Sequence, residues 1–552
     1  MRLIISHAAT LDPSRPTTRR EIMVNDVRRA YFYAKQRRSV FIDLPAEDTE
    51  AREGEVGQLM LCLYGTRDAA REWQRTLSEH LVSLGFEAGR GHPSVFVHRQ
   101  RDIRLLVHGD DYFSSAHAGE LDWLEEQLKK KYEIQSQRIG AKKDENELKI
   151  LNRIVRKTAT GYELEADPRH AELVLLQMKL ETAKPLSTPG VDGKDEDDRE
   201  GELPLDPERS KQYRSIVARL NYLSADRPDM QYSVKELCRD MSGPSEGSWR
   251  RLERACRYLV GTPRLVWKFE MQQPTATIDT FSDANWAGCR RARKSTSGGA
   301  IVIGTHLIKT YSKTQATIAR SSAESELYAI VRATSESLGM LTLLDDLGCE
   351  CKARVHMDAT AAQGVIDRQG ISKIRHLDVN ALWLQEQLAR EYAPISKVLG
   401  TKNGADLMTK NVDGPLMLEH CKRLMLETRE GRSLKAAELQ SCGRPSRVAR
   451  AEDCMLAACE RYAEGNRHDS WNSRGAEGRW VRIHSTPRRS LFTPCRVPRG
   501  PARPDLLDEH RVTEGTYADG TKFKITDDWR QGGRAHRVLD QPWTGVTTFD
   551  VV

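Results

Sequence analysis

The sequence predicts a multidomain chain of mixed α/β and α+β class, and three observations carry that expectation. Residues 277–285 alternate apolar and polar side chains, and two more strand-like runs follow at 297–304 and 306–313, so a three-stranded meander opens one domain. Far upstream, LLVHGDDYFSS at 105–115 reads as strand, tight turn and strand, which needs a sheet of its own. Between them VDGKDEDDREGELPLDPE (191–208) is acidic and poor in apolar residues, the composition of a linker.

Length and composition set the bounds. A chain of 552 residues with 39% hydrophobic content can bury several cores. The formal charge of +7 suits a polyanionic partner. Eleven scattered cysteines without a matched pair of C-x2-C motifs indicate neither a zinc module nor a secreted disulfide framework. The start, MRLIISHAATLDPSRP, has too short an apolar run for a signal peptide, and no apolar segment is long enough for a membrane span, so the cytoplasm or the nucleus is the expected compartment.

In chain order, EIMVND places Asp26 at the end of an apolar strand, and the hairpin at 105–115 carries Asp110 and Asp111 at its tip. Adjacent acids at a tight turn project to different faces, so the hairpin can share a cation pair with Asp26, as phosphoryl transfer demands. The plainer reading is a polar hairpin tip. Residues 120–134 predict an amphipathic helix with Leu121, Leu124 and Leu128 on one face, and ELKILNRIVRK with 161–178 predicts two strands and a helix. From 209 two or three helices are expected, broken at Pro228 and at Gly243-Pro244, and Arg250, Arg251, Arg254 and Arg257 form a basic face fit for sequence-blind phosphate contacts.

After the meander, Ser321 or Ser322 caps a helix in which Leu327, Ile330, Val331, Leu338 and Leu341 fall on one face, with Glu326 near its start. Residues 355–358 end a new strand at Asp358, a helix follows from Thr360, and 394–400 leads to a segment carrying Asp406. Asp283, Glu326, Asp358 and Asp406 thus stand at strand ends and helix starts, where hard oxygen ligands can converge on two divalent cations. Past 412 the chain turns basic: residues 474–503 hold eight arginines against one glutamate, with repeated prolines, and disorder is expected.

Several of these motifs carry a resemblance. DTFSDANWAG, RKSTSGG, SSAESELYA and ADLMTK are similar to the ribonuclease H domain of copia-type LTR retrotransposon polyproteins, over about 275–411. DVRRAYF, LYGTRDAAREW, GFEAGRGHPSVFV and HGDD resemble the reverse transcriptase of the same family, with HGDD where YVDD is usual. The resemblance implies a polymerase palm-like domain with incomplete fingers at 1–190, a helical connection at 209–274, a ribonuclease H-like domain with a mixed five-stranded sheet at 275–411, and a tail at 412–552. It implies an RNA-directed DNA polymerase joined to ribonuclease H. Asp26, Asp110 and Asp111 then become the catalytic metal ligands of the first activity, and Asp283, Glu326, Asp358 and Asp406 those of the second, with two Mg²⁺ or Mn²⁺ ions per site. Glu324 competes with Glu326, but Glu326 heads E-L-Y-A, the better match. Tyr31 is expected beneath the incoming sugar, Arg67 at the triphosphate, and Arg250, Arg254 and Arg257 along an RNA–DNA hybrid. The implied partners are that hybrid, an RNA template with a DNA primer, and deoxynucleoside triphosphates.

Departures from the family pattern are also legible. Asp68 stands where a glutamine is usual, His108-Gly109 replaces Tyr-Val, and Leu382 or Trp383 stands where a second histidine often follows RHLD (375–378). Only 25 residues precede Asp26, which reads as an amino-terminally truncated polymerase. The competing expectation is a non-catalytic nucleic-acid-binding relic of a mobile element.

Overall fold

The computed structural model describes residues 1–43, 56–140, 146–191, 203–289, 291–366, 378–390, 392–433, 481–483, 511–516 and 522–527. Most of the acidic linker, the RHL of the RHLD motif and most of the basic tail lie outside the described residues.

The first sheet forms because short β-branched and aromatic runs are separated by turn residues. Helix α1 (Arg2–Ala8) precedes strand β1 (Glu21–Val27), and two short strands, β2 (Phe41–Asp43) and β3 (Val56–Gln58), pair with one another. Then come α2 (Ala69–Ser83), β4 (Glu87–Ala88), β5 (Val95–His98), β6 (Ile103–His108), β7 (Asp111–Ala116), α3 (Ala118–Lys129) and β8 (Ile134–Ile139). The sheet order is β4-β5-β6-β7-β1-β8, antiparallel throughout. Alternation sends Met23, Phe96, Leu105 and Tyr112 to one face, where Trp73, Leu77 and Leu81 of α2 and Leu121, Leu124 and Leu128 of α3 cover them. The predicted leucine stripe of α3 is this buried face.

A second sheet departs from the sequence expectation. Strands β9 (Glu147–Ile150), β10 (Arg153–Lys157) and β11 (Gly161–Ala166) precede α4 (Arg169–Met178), so three strands replace the expected two. Leu151 and Asn152 make the β9–β10 turn at φ 47° and 57°, the geometry of a two-residue hairpin, to which Asn is suited and Leu is not. Helices α5 (Pro207–Ser224), α6 (Pro228–Arg239) and α7 (Glu246–Gly261) follow, and β12 (Arg264–Glu270) then pairs with β11. The stretch read as a helical connection therefore ends in a strand.

The third sheet holds β13 (Thr277–Asn285), β14 (Thr296–Ile303), β15 (His306–Thr314), then α8 (Ser322–Asp346), β16 (Lys352–Met357), α9 (Thr360–Ile366), α10 (Asp378–Ala389) and β17 (Ile395–Lys397). Its order is β15-β14-β13-β16-β17, with the meander antiparallel and β16 and β17 parallel to their neighbours. This is the expected mixed five-stranded sheet, and the multidomain α/β and α+β class is borne out. Ser321, not Ser322, caps α8, its hydroxyl accepting from the Glu324 N–H at 3.2 Å. The buried stripe of α8 is less apolar than predicted: Leu327 and Ile330 are buried, but Ala333, Thr334 and Ser337 continue the stripe while Val331, Leu338 and Leu341 are only half-buried. Small residues let the helix lie close on the sheet, where Ser337 Oγ donates to Thr280 Oγ1 at 2.7 Å.

Residues assigned to the tail extend this body. Asp413 caps α11 (Gly414–Arg423), and β18 (Leu426–Arg429) adds to the free edge of β12. The strand forms because Leu426 and Leu424 bury their side chains while Arg429 pairs with Glu163 at 2.6 Å. Strand β19 (Val481–Ile483) pairs with β3, and β20 (Arg511–Thr516) with β21 (Lys522–Asp527) makes a separate hairpin in a stretch expected to be disordered. One continuous core runs from Ile4 and Ile5 of α1 through Trp267 to Ile330 of α8. Polar ties join α8 and the first sheet: the backbone N–H groups of Arg90 and Gly91 donate to Asp346 at 2.9 and 2.7 Å, and the Arg90 guanidinium pairs with Asp345 at 3.0 Å.

Candidate active sites

Two carboxylate clusters form, and they are built differently. In the third sheet Asp283 stands near the end of β13, Glu326 in the first turn and a half of α8, and Asp358 just past β16, the strand parallel to β13. Oxygens of these three side chains lie within 4.8 Å of one another. Asp406 belongs to the 3-10 turn Gly404–Met408, and its charge acts on the Asp283 carboxyl. The four predicted acids are thus brought together. Glu324 is not among them; its carboxylate accepts from the Arg320 N–H at 2.9 Å and closes the helix entrance.

Residues that the sequence reading did not single out hold this cluster in shape. Asn403 donates to the Ser282 carbonyl at 2.9 Å, Asn285 donates to the Thr409 carbonyl at 2.6 Å, and Thr409 Oγ1 donates to Asp283 Oδ2. The turn bearing Asp406 is therefore clamped onto β13. It lies so close to β14 that a Cβ at Gly298 would meet Thr409 at 2.6 Å, which accounts for the glycine in RKSTSGG. Asn285 lies in DTFSDANWAG and Thr409 in ADLMTK, with Asn403 two residues before the latter, so the signal was present without a role attached.

Burial and like charge set the electrostatics. Burial, with Asp283 and Asp358 adding repulsion, pushes the Glu326 carboxyl up to about 9. The carboxyls of Asp283, Asp358 and Asp406 are also raised, burial being the first cause in each. Lys410 opposes this with its ammonium 2.9 Å from Asp406 Oδ2. Glu326 Oε2 and Asp406 Oδ1 are buried with no hydrogen-bond partner. A set of hard, anionic oxygens with orphaned acceptors fits a divalent cation such as Mg²⁺ or Mn²⁺.

In the first sheet, Asp26 and Asp111 are direct cross-strand partners on β1 and β7, and Asp110 precedes Asp111 in the turn. Gly109 takes φ +65° there, a conformation that favours glycine. Trp73, another residue missed from the sequence, fixes this turn from below: its indole N–H donates to the Gly109 carbonyl at 2.7 Å. Burial, then Asp110 and Asp26, pushes the Asp111 carboxyl up to about 6, and Asp26 is raised for the same first reason. Asp26, Asp110, Arg28, Arg29 and Glu133 line an open cavity of about 500 Å³. Tyr31 lies in the 3-10 turn after β1, its ring 4.4 Å from that of Tyr64, while Arg67 is exposed before α2. Asp68 is engaged by Arg38 at 2.8 Å.

The predicted basic face of α7 lines a groove of about 1740 Å³. Arg250, Arg251, Arg254 and Arg257 share it with Arg239, Arg291, Lys294 and Lys410, against Glu236, Asp240 and Glu253, so its wall is net positive. Among the described residues no helix is long and apolar enough to cross a membrane.

The chain is similar to known proteins over most of its length. The family described as reverse transcriptase (RNA-dependent DNA polymerase) matches residues 16–190. The chain is 28% identical over 391 residues to the retrovirus-related Pol polyprotein from transposon RE2 of Arabidopsis thaliana, covering 70% of this chain and 26% of that protein. It is 26% identical over 449 residues to the corresponding polyprotein from transposon TNT 1-94 of Nicotiana tabacum, covering 77% of this chain and 32% of that one. The chain thus spans a quarter to a third of these relatives. Among solved structures, the foamy viral protease-reverse transcriptase in complex with an RNA/DNA hybrid aligns at 10% identity and a TM-score of 0.39, covering 72% of this chain and 45% of that one.

Proposed function

Since the chain belongs to the copia-type retrotransposon polyproteins, we propose that it is a reverse transcriptase joined to a ribonuclease H, cutting the RNA strand of RNA–DNA hybrids at one carboxylate cluster and extending a DNA primer on RNA at the other. In this reading residues 1–190 are the palm-like polymerase region, 191–208 the linker, 209–274 the connection, 275–411 the nuclease region and 412–552 the tail. The observation that carries it is the meeting of Asp283, Glu326 and Asp358 within 4.8 Å, with the charge of Asp406 acting on Asp283 beside them.

Asp283, Glu326, Asp358 and Asp406 would hold a pair of Mg²⁺ or Mn²⁺ ions, which when bound lower the pKa of a water and neutralise the leaving oxygen of a phosphodiester. The protein's own share is positioning. Asn403, Asn285 and Thr409 fix the turn that bears Asp406 against β13. Arg250, Arg254 and Arg257 offer the groove wall to the hybrid's phosphates, contacts that set position without reading sequence. At the polymerase cluster Asp26, Asp110 and Asp111 would hold the second ion pair, Tyr31 would pack under the sugar of a deoxynucleoside triphosphate, and Arg67 would meet its phosphates.

The test is incubation of the purified chain with a labelled hybrid and Mg²⁺ or Mn²⁺. Cleavage that disappears in Asp283→Asn supports the reading. Binding without cleavage in the wild type defeats the nuclease assignment and leaves a binding relic.

A further inference from the structure

We propose that Lys410 exchanges its ammonium between the carboxylate cluster and a backbone phosphate in the basic groove, so that divalent-cation binding and polyanion binding are coupled through this one side chain. The inference rests on the nuclease reading above. Lys410 is common to two features otherwise separate: it donates to Asp406 Oδ2 at 2.9 Å, and it lines the groove with Arg250, Arg254 and Lys294. Its side chain is 41% exposed, whereas that of Asp406 is 10% exposed, so the lysine sits at the mouth of the cluster and not inside it.

The charges decide how it moves. Asp283, Asp406 and Asp358 all attract the ammonium. A divalent cation among those carboxylates competes for the same negative charge with twice the valence, which weakens the hold on Lys410. Lysine then has a flexible four-carbon stem and three rotatable donors with which to reach a phosphate, where arginine would offer a rigid fork. Thermodynamic reciprocity follows: a polyanion in the groove that engages Lys410 removes it from Asp406 and raises cation affinity by the same factor.

Binding of a hybrid whose RNA strand is 2′-O-methylated, and so resists cleavage, tests this through the salt dependence of affinity in EDTA and in Mg²⁺. Each phosphate contact contributes a slope of about 0.9 in log K against log salt. In Mg²⁺ the slope of Lys410→Gln should be shallower than that of the wild type by about that amount, with Lys410→Arg restoring it; in EDTA the three should agree. Asp406→Asn supplies an independent arm, because it releases the lysine without a metal: its slope in EDTA should be steeper than the wild type's by about one contact. Equal slopes in Mg²⁺, an equal loss in both conditions, or an unchanged slope in Asp406→Asn would each overturn the exchange. A protein with the expected slopes that cuts no unmodified hybrid loses the nuclease reading and keeps the exchange, whereas one that cuts but shows equal slopes loses only the exchange.

Discussion

Asp283, Glu326 and Asp406 are 4%, 8% and 7% exposed, whereas Asp110 is exposed and Asp26 and Asp111 are half-buried. The difference follows from how many elements build each cluster. The nuclease-like acids come from two parallel strands, a helix and a clamped turn, which close around them from several sides. The polymerase-like acids come from β1 and the β6–β7 turn beside it, all in one antiparallel sheet, which leaves a side open to solvent. Enclosure raises the cost of charge and fixes geometry in advance; openness leaves room for a large substrate and leaves the geometry to fewer supports.

The largest expected effects separate the two clusters. Asp283→Asn should lower hybrid cleavage by at least about a thousandfold, since it removes a shared metal ligand, and leave primer extension unchanged. Asp110→Asn should do the reverse, assayed as incorporation of labelled deoxynucleotide on a primed RNA template. If either substitution abolished both activities, the clusters would not be independent sites. Asn403→Ala should cost less, roughly ten- to a hundredfold in cleavage, because it loosens the turn that presents Asp406 without removing a ligand.

The contrast also explains what could be read in advance. Acids at strand ends were legible because a period of two fixes which residue emerges at the edge, and Glu326 was separable from Glu324 by its motif. The supports were not legible. Asn285, Asn403, Thr409 and Trp73 act through bonds that span 36 to 126 residues, and no local pattern announces such a partner. The same reason hid the second sheet: β12 stays an edge until β18 arrives, and partners such as Arg264 and Arg429 are neighbours only in space. Composition read the run after 412 as tail, although Asp413 and Leu426 carry it back into the core.

A smaller effect tests the enclosure itself. The Glu326 carboxyl is raised from 4.5 to about 9, so between those pH values the folded protein holds a proton that the unfolded chain has lost, and stability falls as pH rises. Glu326→Gln, which cannot ionise, should therefore stabilise the protein in EDTA. The gain should be absent below the unfolded value and grow to on the order of 2 kcal/mol by pH 8, read from denaturant midpoints. Asp111, raised from 3.8 only to about 6 and half-buried, should give the same sign in Asp111→Asn but less than about 1 kcal/mol after solvent screening. Equal gains at the two positions would remove the distinction between a closed and an open cluster. With excess Mg²⁺ the order should invert at Glu326, because only the wild type then gains the ligand's contribution.

The last effect concerns a buried support of the open cluster. Trp73 is 1% exposed, and Phe fills most of its volume but cannot donate to the Gly109 carbonyl. Trp73→Phe should cost about 1–2 kcal/mol, the loss of one buried hydrogen bond with a small void. Because that bond holds the turn between Asp110 and β6, primer extension should fall severalfold while hybrid cleavage stays at the wild-type rate. A matching fall in cleavage would mean that the turn's position reaches the other cluster, and the route to examine would be the Asp346 bonds to Arg90 and Gly91, where the long helix carrying Glu326 is tied to the first sheet.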